Sequence, residues 1–147
     1  ALPNRIDIVC HSLGSRVAYE ACRLRPWRGR KGLALNGADS AEHARACALK
    51  APNVEFHSAL FKGDKVLGIM GRAFTPKLGF ERVVGYDGMD NPPDNFNQII
   101  LTPGEGDDPD DFGDHSYSFT NPALWERWRE LLAWPRHLNM HPIASEK

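Results

Sequence analysis

The feature that most constrains the fold is an abrupt change of hydrophobic period near residue 12. Residues 5–10 form a run rich in β-branched side chains after a Pro-Asn break, which predicts a short strand. From residue 15 the apolar side chains recur at helical spacing and stop before Pro26, which predicts a helix with a buried stripe of Val17, Ala18, Ala21, Cys22 and Leu24. A tight turn at residues 11–14 must join the two elements. The sequence therefore predicts a strand that passes directly into a helix.

The rest of the chain alternates in the same way. Short apolar runs predict further strands at residues 32–36, 54–60 and 99–101. Asp39, with Glu42 three residues later, marks the start of one intervening helix, and Asn121-Pro122 starts a last amphipathic helix. Strands separated by helices form right-handed crossovers, so we expect the α/β class with a mostly parallel sheet and flanking helices. Residues 68–96 predict an irregular excursion, and residues 136–147 a tail.

Composition narrows the classes of function. The 147 residues are 41% hydrophobic and 25% charged, as in an ordinary globular domain. Eighteen basic residues against 19 acidic ones leave a net charge of -1, which favours no nucleic-acid partner. No apolar run is long enough for a membrane span. The three cysteines lack a CxxC pair and are expected to be reduced and buried, which favours a cytoplasmic protein.

The turn Cys10-His11-Ser12-Leu13-Gly14 carries the chemistry. A serine hydroxyl becomes a useful nucleophile when a base removes its proton and the backbone presents it clear of the sheet. A strand-to-helix turn does the second task by straining the serine backbone, which requires small neighbours two residues away. The helix that follows directs the Leu13 N–H at a developing oxyanion. The alternative is that Ser12 merely caps this helix.

The segment IDIVCHSLGSRVA resembles the nucleophile elbow, Gly-x-Ser-x-Gly, of the α/β-hydrolase superfamily of esterases and lipases. Cys10 replaces the first glycine of that motif with another small residue. The resemblance implies an α/β-hydrolase-like three-layer sandwich, of which residues 1–135 would be the C-terminal part. It also implies that the N-terminal strands are missing from this chain, as is the loop that supplies the second oxyanion donor.

The superfamily order of nucleophile, acid and histidine identifies candidates for the rest of a catalytic triad. His115 follows the last predicted strand and fits the position of the base. Asp64 follows the third strand in Lys62-Gly63-Asp64 and fits the commoner position of the acid, which holds the imidazole in the correct tautomer. Asp39 follows the second strand and is the alternative acid, although it could equally cap a helix.

Two functions follow from these motifs. The first is a serine hydrolase that acts on a small-molecule carboxylic ester through an acyl-Ser12 intermediate. The second is a non-catalytic fragment or interaction module of the same fold. An unpaired strand before Ser12 would expose backbone groups, so self-association of the chain is also expected.

No cofactor is expected and no metal site is predicted. His137 and His141 have a spacing seen in metal sites, but prolines bracket them and no carboxylate or thiol lies alongside. The aspartates of residues 107–114 lack the order of a calcium loop, so a solvated acidic loop is the preferred interpretation.

Overall fold

The computed structural model describes residues 6–71, 82–102 and 114–133 of the chain. The tail, with His137 and His141, lies outside these residues, as do most of the acidic loop and part of the irregular excursion. The fold is of the α/β class. Its four strands form one parallel sheet in the order β1-β2-β3-β4. The strands are β1 (Ile6–His11), β2 (Gly29–Leu35), β3 (Glu55–Leu60) and β4 (Phe96–Ile100).

Helices lie between the strands and after the last strand in the chain. They are α1 (Gly14–Leu24), α2 (Ala41–Lys50), α3 (Tyr117–Thr120) and α4 (Pro122–Leu132), with a π-helical turn at Leu67–Gly71. Each predicted strand exists, with its ends moved by at most three residues. Because neighbouring strands all pair in parallel, the carboxyl ends of the four strands lie along one edge of the sheet.

The helices cover both faces of this sheet. One core combines α1 and α2 with alternate strand residues such as Ala34 and Phe56. The other packs Leu33, Leu35 and Ala59 against the fully buried Trp128 of α4. The alternation follows from the pleat, which directs successive side chains of a strand to opposite faces. The strands are apolar on both faces because both faces carry a core.

Two details of the helices differ from the predictions. The buried stripe of α1 is Ser15, Ala18, Tyr19 and Cys22, whereas Val17 is 71% exposed. Asp39 does not cap α2. Its N-cap is Ser40, whose Oγ accepts a hydrogen bond from the His43 N–H at 3.0 Å. The capping motif was therefore placed one residue too early, because Ser and Asp are both good caps.

Strand β1 is one of the two edge strands among the described residues, and it pairs with β2 alone. Beside it lies an apolar cavity of about 410 Å³, bordered by Ile6, Ile8 and the exposed Leu24 of α1. The self-association expected for such an edge stays a prediction. None of the helices in the described residues is long and apolar enough to cross a membrane.

Candidate active site

Ser12 lies directly after β1 and has a left-handed backbone, with φ of 53°. This conformation is uncommon for a residue with a side chain and marks a strained turn. The Ser12 carbonyl accepts hydrogen bonds from the Ala38 N–H at 3.0 Å and from the Ser15 N–H at 3.1 Å. The Ser15 hydroxyl also donates to it at 2.8 Å. The surrounding backbone therefore holds the turn in place.

The alternative role of Ser12, as a helix cap, does not match this geometry. The N-cap of α1 is Leu13, and no side chain caps this helix. Across the described residues, the Leu13 N–H has no hydrogen-bond acceptor in the protein. Leu13 itself is 56% exposed. A donor at a helix N-terminus is thus available to a negatively charged oxygen, and its role in an oxyanion hole stays a prediction.

Cys10 and Gly14 lie close together on the two sides of the turn. A Cβ atom added at Gly14 would lie 3.6 Å from the Cys10 Cβ, which is an ordinary contact. The turn therefore tolerates alanine at residue 14, and glycine is less strictly required than the sequence argument implied. Burial, and secondarily Cys22, raises the pKa of Cys10 to about 12, so this thiol is protonated at neutral pH.

Asp64 and His115, which are 51 residues apart in the chain, form a hydrogen-bonded pair. The His115 Nδ1 lies 2.6 Å from the Asp64 Oδ2. The Asp64 side chain is fully buried, and that of His115 is 17% exposed. Two further groups bind the carboxylate: the Leu67 N–H donates to Oδ1 at 2.9 Å, and the Asn36 Nδ2 donates to Oδ2 at 2.8 Å.

These contacts determine the ionisation of Asp64. Burial alone would raise the pKa of this carboxyl, but the hydrogen bonds from His115, Leu67 and Asn36 outweigh burial and lower it below its ordinary value. An ionised carboxylate can only accept hydrogen bonds, so the His115 Nδ1 must carry the proton. The His115 Nε2 is then the nitrogen that can act as a base.

His115 lies beside the residue that precedes Ser12. The rings of His11 and His115 have centroids 4.7 Å apart, and the His11 Nε2 donates to the His115 carbonyl at 3.0 Å. The structure therefore brings the loop of the predicted base to the turn that carries Ser12. Within the described residues, the Ser12 hydroxyl makes no hydrogen bond to His115. Catalytic hydrogen bonds of this kind are often long before substrate binds.

The Asp39 carboxylate binds other groups. Its Oδ2 lies 2.5 Å from the His43 Nδ1, and its Oδ1 accepts from Arg16 at 3.1 Å and from the Ser40 N–H at 2.8 Å. Of the two predicted acids, Asp64 is the one that contacts His115.

Three residues of the site were not predicted: His11, Asn36 and Ser118. Asn36 follows β2 at the same sheet edge as Ser12 and has a positive φ of 48°. Its Oδ1 accepts a hydrogen bond from the buried Ser118 hydroxyl. A polar residue after an apolar strand was the available signal for Asn36. Ser118 gave none, because only the tertiary contact distinguishes it from other serines.

Comparisons with protein-family models, with curated proteins and with solved structures give no match for this chain. The interpretation of the site thus depends on its own geometry.

Proposed function

We propose that this chain is a serine hydrolase of the α/β-hydrolase superfamily that acts on carboxylic esters, with Ser12 as nucleophile, His115 as base and Asp64 as orienting acid. One observation carries the proposal. The buried Asp64 carboxylate binds the His115 Nδ1, and the His115 loop contacts the strained turn that presents Ser12. Nucleophile, acid and histidine also follow one another in the superfamily order.

The three residues act in successive steps of the reaction. The His115 Nε2 removes the Ser12 hydroxyl proton while the Oγ forms a bond to the ester carbonyl carbon. The carbonyl oxygen becomes an oxyanion, which the Leu13 N–H stabilises. Collapse breaks the bond to the alcohol oxygen, which takes the proton from His115. Water then attacks the acyl-Ser12 ester with His115 again as base. The bond to Oγ breaks, Oγ takes the proton back from His115, and the carboxylic acid product leaves.

Asp64 contributes by orientation and charge. Its carboxylate keeps the proton on Nδ1, so that the Nε2 lone pair is available, and it stabilises the imidazolium that forms during each step. The lowered pKa of Asp64 supports this role, because a protonated carboxyl could neither fix the tautomer nor offset the positive charge.

The proposal is tested by labelling the full chain with a fluorophosphonate, a reagent that traps base-activated serines. We expect Ser12 to be labelled and Ser12→Ala to abolish labelling. Ser116→Ala is the matched control, because Ser116 is next to His115 in sequence but is not placed in the mechanism. Labelling that persists in Ser12→Ala would overturn the assignment of the nucleophile.

A second candidate function is a non-catalytic interaction module of the same fold. The edge position of β1 and the apolar cavity beside it favour this alternative. The same experiment separates the two functions. A folded chain that shows no labelling at Ser12 favours the module.

A further inference from the structure

A second cluster of reactive side chains lies between α1 and α2. Glu20 comes from α1, whereas His43 and Cys47 lie four residues apart on one face of α2. The potential ligand atoms of the three residues all lie within 4.8 Å of one another. The sequence predicted no metal site here, because Glu20 is distant in sequence and a single histidine with a single cysteine is a weak signal.

The separations from Cys47 to the other two residues suit a tetrahedral metal. The Cys47 Sγ lies 3.6 Å from the His43 Nε2 and 3.8 Å from a Glu20 carboxylate oxygen. Zinc binds thiolate at about 2.3 Å and imidazole or carboxylate at about 2.0–2.2 Å. Tetrahedral angles then place sulfur about 3.6 Å from either of the other ligand atoms. Both separations to Cys47 therefore match without movement of the helices.

His43 is already oriented as a metal ligand. Its Nδ1 is bound by the fully buried Asp39 carboxylate at 2.5 Å, and its Nε2 is directed at Cys47. Histidine ligands of metals commonly donate the other ring N–H to a carboxylate, which fixes the tautomer and increases the basicity of the ligating nitrogen. Asp39 thus has the position of a carboxylate that orients a histidine ligand without contacting the metal.

We propose that Glu20, His43 and Cys47 bind a zinc ion, with Asp39 orienting His43 and water at the fourth position. One thiolate, one imidazole and one carboxylate form a donor set that zinc accepts readily. The site is open to solvent on one side, because 40% of the Glu20 side chain and 22% of that of His43 are exposed, while Cys47 is fully buried. The ion would join α1, which begins at the Ser12 turn, to α2.

Zinc has two competitors at this site. One is the thiol proton of Cys47, which passes to the solvent as the sulfur–zinc bond forms. The other is Arg23, which binds both carboxylate oxygens of Glu20. Glu20 must exchange at least one of these hydrogen bonds for the metal. Removal of Arg23 should therefore strengthen binding, an effect that no merely structural role of the cluster would produce.

Zinc titration of the metal-stripped full chain, in competition with a chromophoric chelator, tests the proposal. We expect one equivalent to bind, and we expect Cys47→Ser or His43→Gln to weaken binding by at least about a hundredfold. Asp39→Asn should weaken zinc binding by about tenfold, as the loss of a group that orients a metal ligand does. Arg23→Gln should tighten it. Cobalt, added to the unmodified chain, should give a thiolate charge-transfer band and the intense visible bands of a tetrahedral ion.

The double variant His137→Gln/His141→Gln is the matched control, since it removes another pair of potential ligands at the same spacing, and it should bind zinc unchanged. Loss of binding in this control, with binding retained in Cys47→Ser, would move the site to the tail and overturn the proposal. So would the absence of binding, or a cobalt complex without the thiolate band.

Discussion

Two aspartate–histidine pairs in this protein have nearly the same local geometry. Asp64 and His115 approach to 2.6 Å, and Asp39 and His43 to 2.5 Å, each through the histidine Nδ1. Both carboxylates are fully buried, and both histidines are partly exposed. The pairs differ in what surrounds them. His115 contacts His11, which precedes Ser12, whereas the Nε2 of His43 lies beside the Cys47 thiol.

The comparison shows that the pair itself does not determine the chemistry. In both cases the carboxylate binds Nδ1, so that Nε2 is directed away from the carboxylate. Beside a serine on a strained turn, that nitrogen can serve as a base. Beside Cys47 and Glu20 it can serve as a metal ligand. Both aspartates that the sequence proposed as the acid are thus bound to a histidine.

The largest expected effect separates the two carboxylates in catalysis. Asp64→Asn should lower turnover of a short acyl ester by about 10⁴-fold, because an amide no longer holds the His115 tautomer. Asp39→Asn should change turnover by less than about tenfold, since Asp39 contacts His43 and not His115. Steady-state kinetics of both variants measure this difference. The opposite ranking would make Asp39 the acid.

A smaller effect concerns the residues that support each pair. Ser118→Ala removes the hydroxyl that donates to Asn36, which in turn donates to Asp64, and should cost about 1–3 kcal/mol of unfolding free energy. Ser40→Ala removes the cap of α2 and should cost about 1 kcal/mol. Urea unfolding measures both losses.

Ester turnover distinguishes these two serine variants, because only Ser118→Ala should lower it. Ser116→Ala serves as the stability control, and its unfolding free energy should stay within about 0.5 kcal/mol of the original. Equal turnover in Ser118→Ala and Ser40→Ala would show that Asn36 does not support Asp64.

The smallest expected effect is the pH dependence of stability. The pKa of Asp64 is lower in the folded protein than in the unfolded chain, so its ionised form contributes stability that is fully present above the unfolded pKa of about 3.9. This contribution is lost as the pH falls through the folded pKa. Asp64→Asn should therefore show a shallower loss of stability in acid, measured by urea unfolding at several pH values. An unchanged acid dependence would contradict the lowered pKa.

The sequence predicted the order of the elements and the turn at Ser12 because these depend on local patterns. A strand followed by a helical stripe specifies its own turn, and Pro and Gly mark the breaks. The buried face of α1 was harder to predict. Val17 was expected on the buried stripe of α1 and is exposed, because the 3.6-residue period alone does not say which of two overlapping faces meets the sheet.

Catalytic candidates could be identified because superfamily order was available for them, but the choice between Asp64 and Asp39 could not be made with certainty from sequence. Both follow strands whose carboxyl ends lie at the same sheet edge. The proposed zinc ligands could not be predicted, since Glu20 approaches His43 and Cys47 only when α1 packs beside α2.

By itself, then, the sequence determined the α/β class, the strand–turn–helix at Ser12 and the short list of groups able to react. These depend on neighbours in the chain, whose period and turn chemistry act within a few residues. Only the tertiary structure decided that Asp64 contacts His115. Asp39 and His43 are four residues apart in the chain, whereas Asp64 reaches His115 across 51 residues, through strand register and the packing of Trp128 against Leu33 and Leu35. Such contacts depend on how the sheet and helices pack, a physical constraint that no local pattern carries.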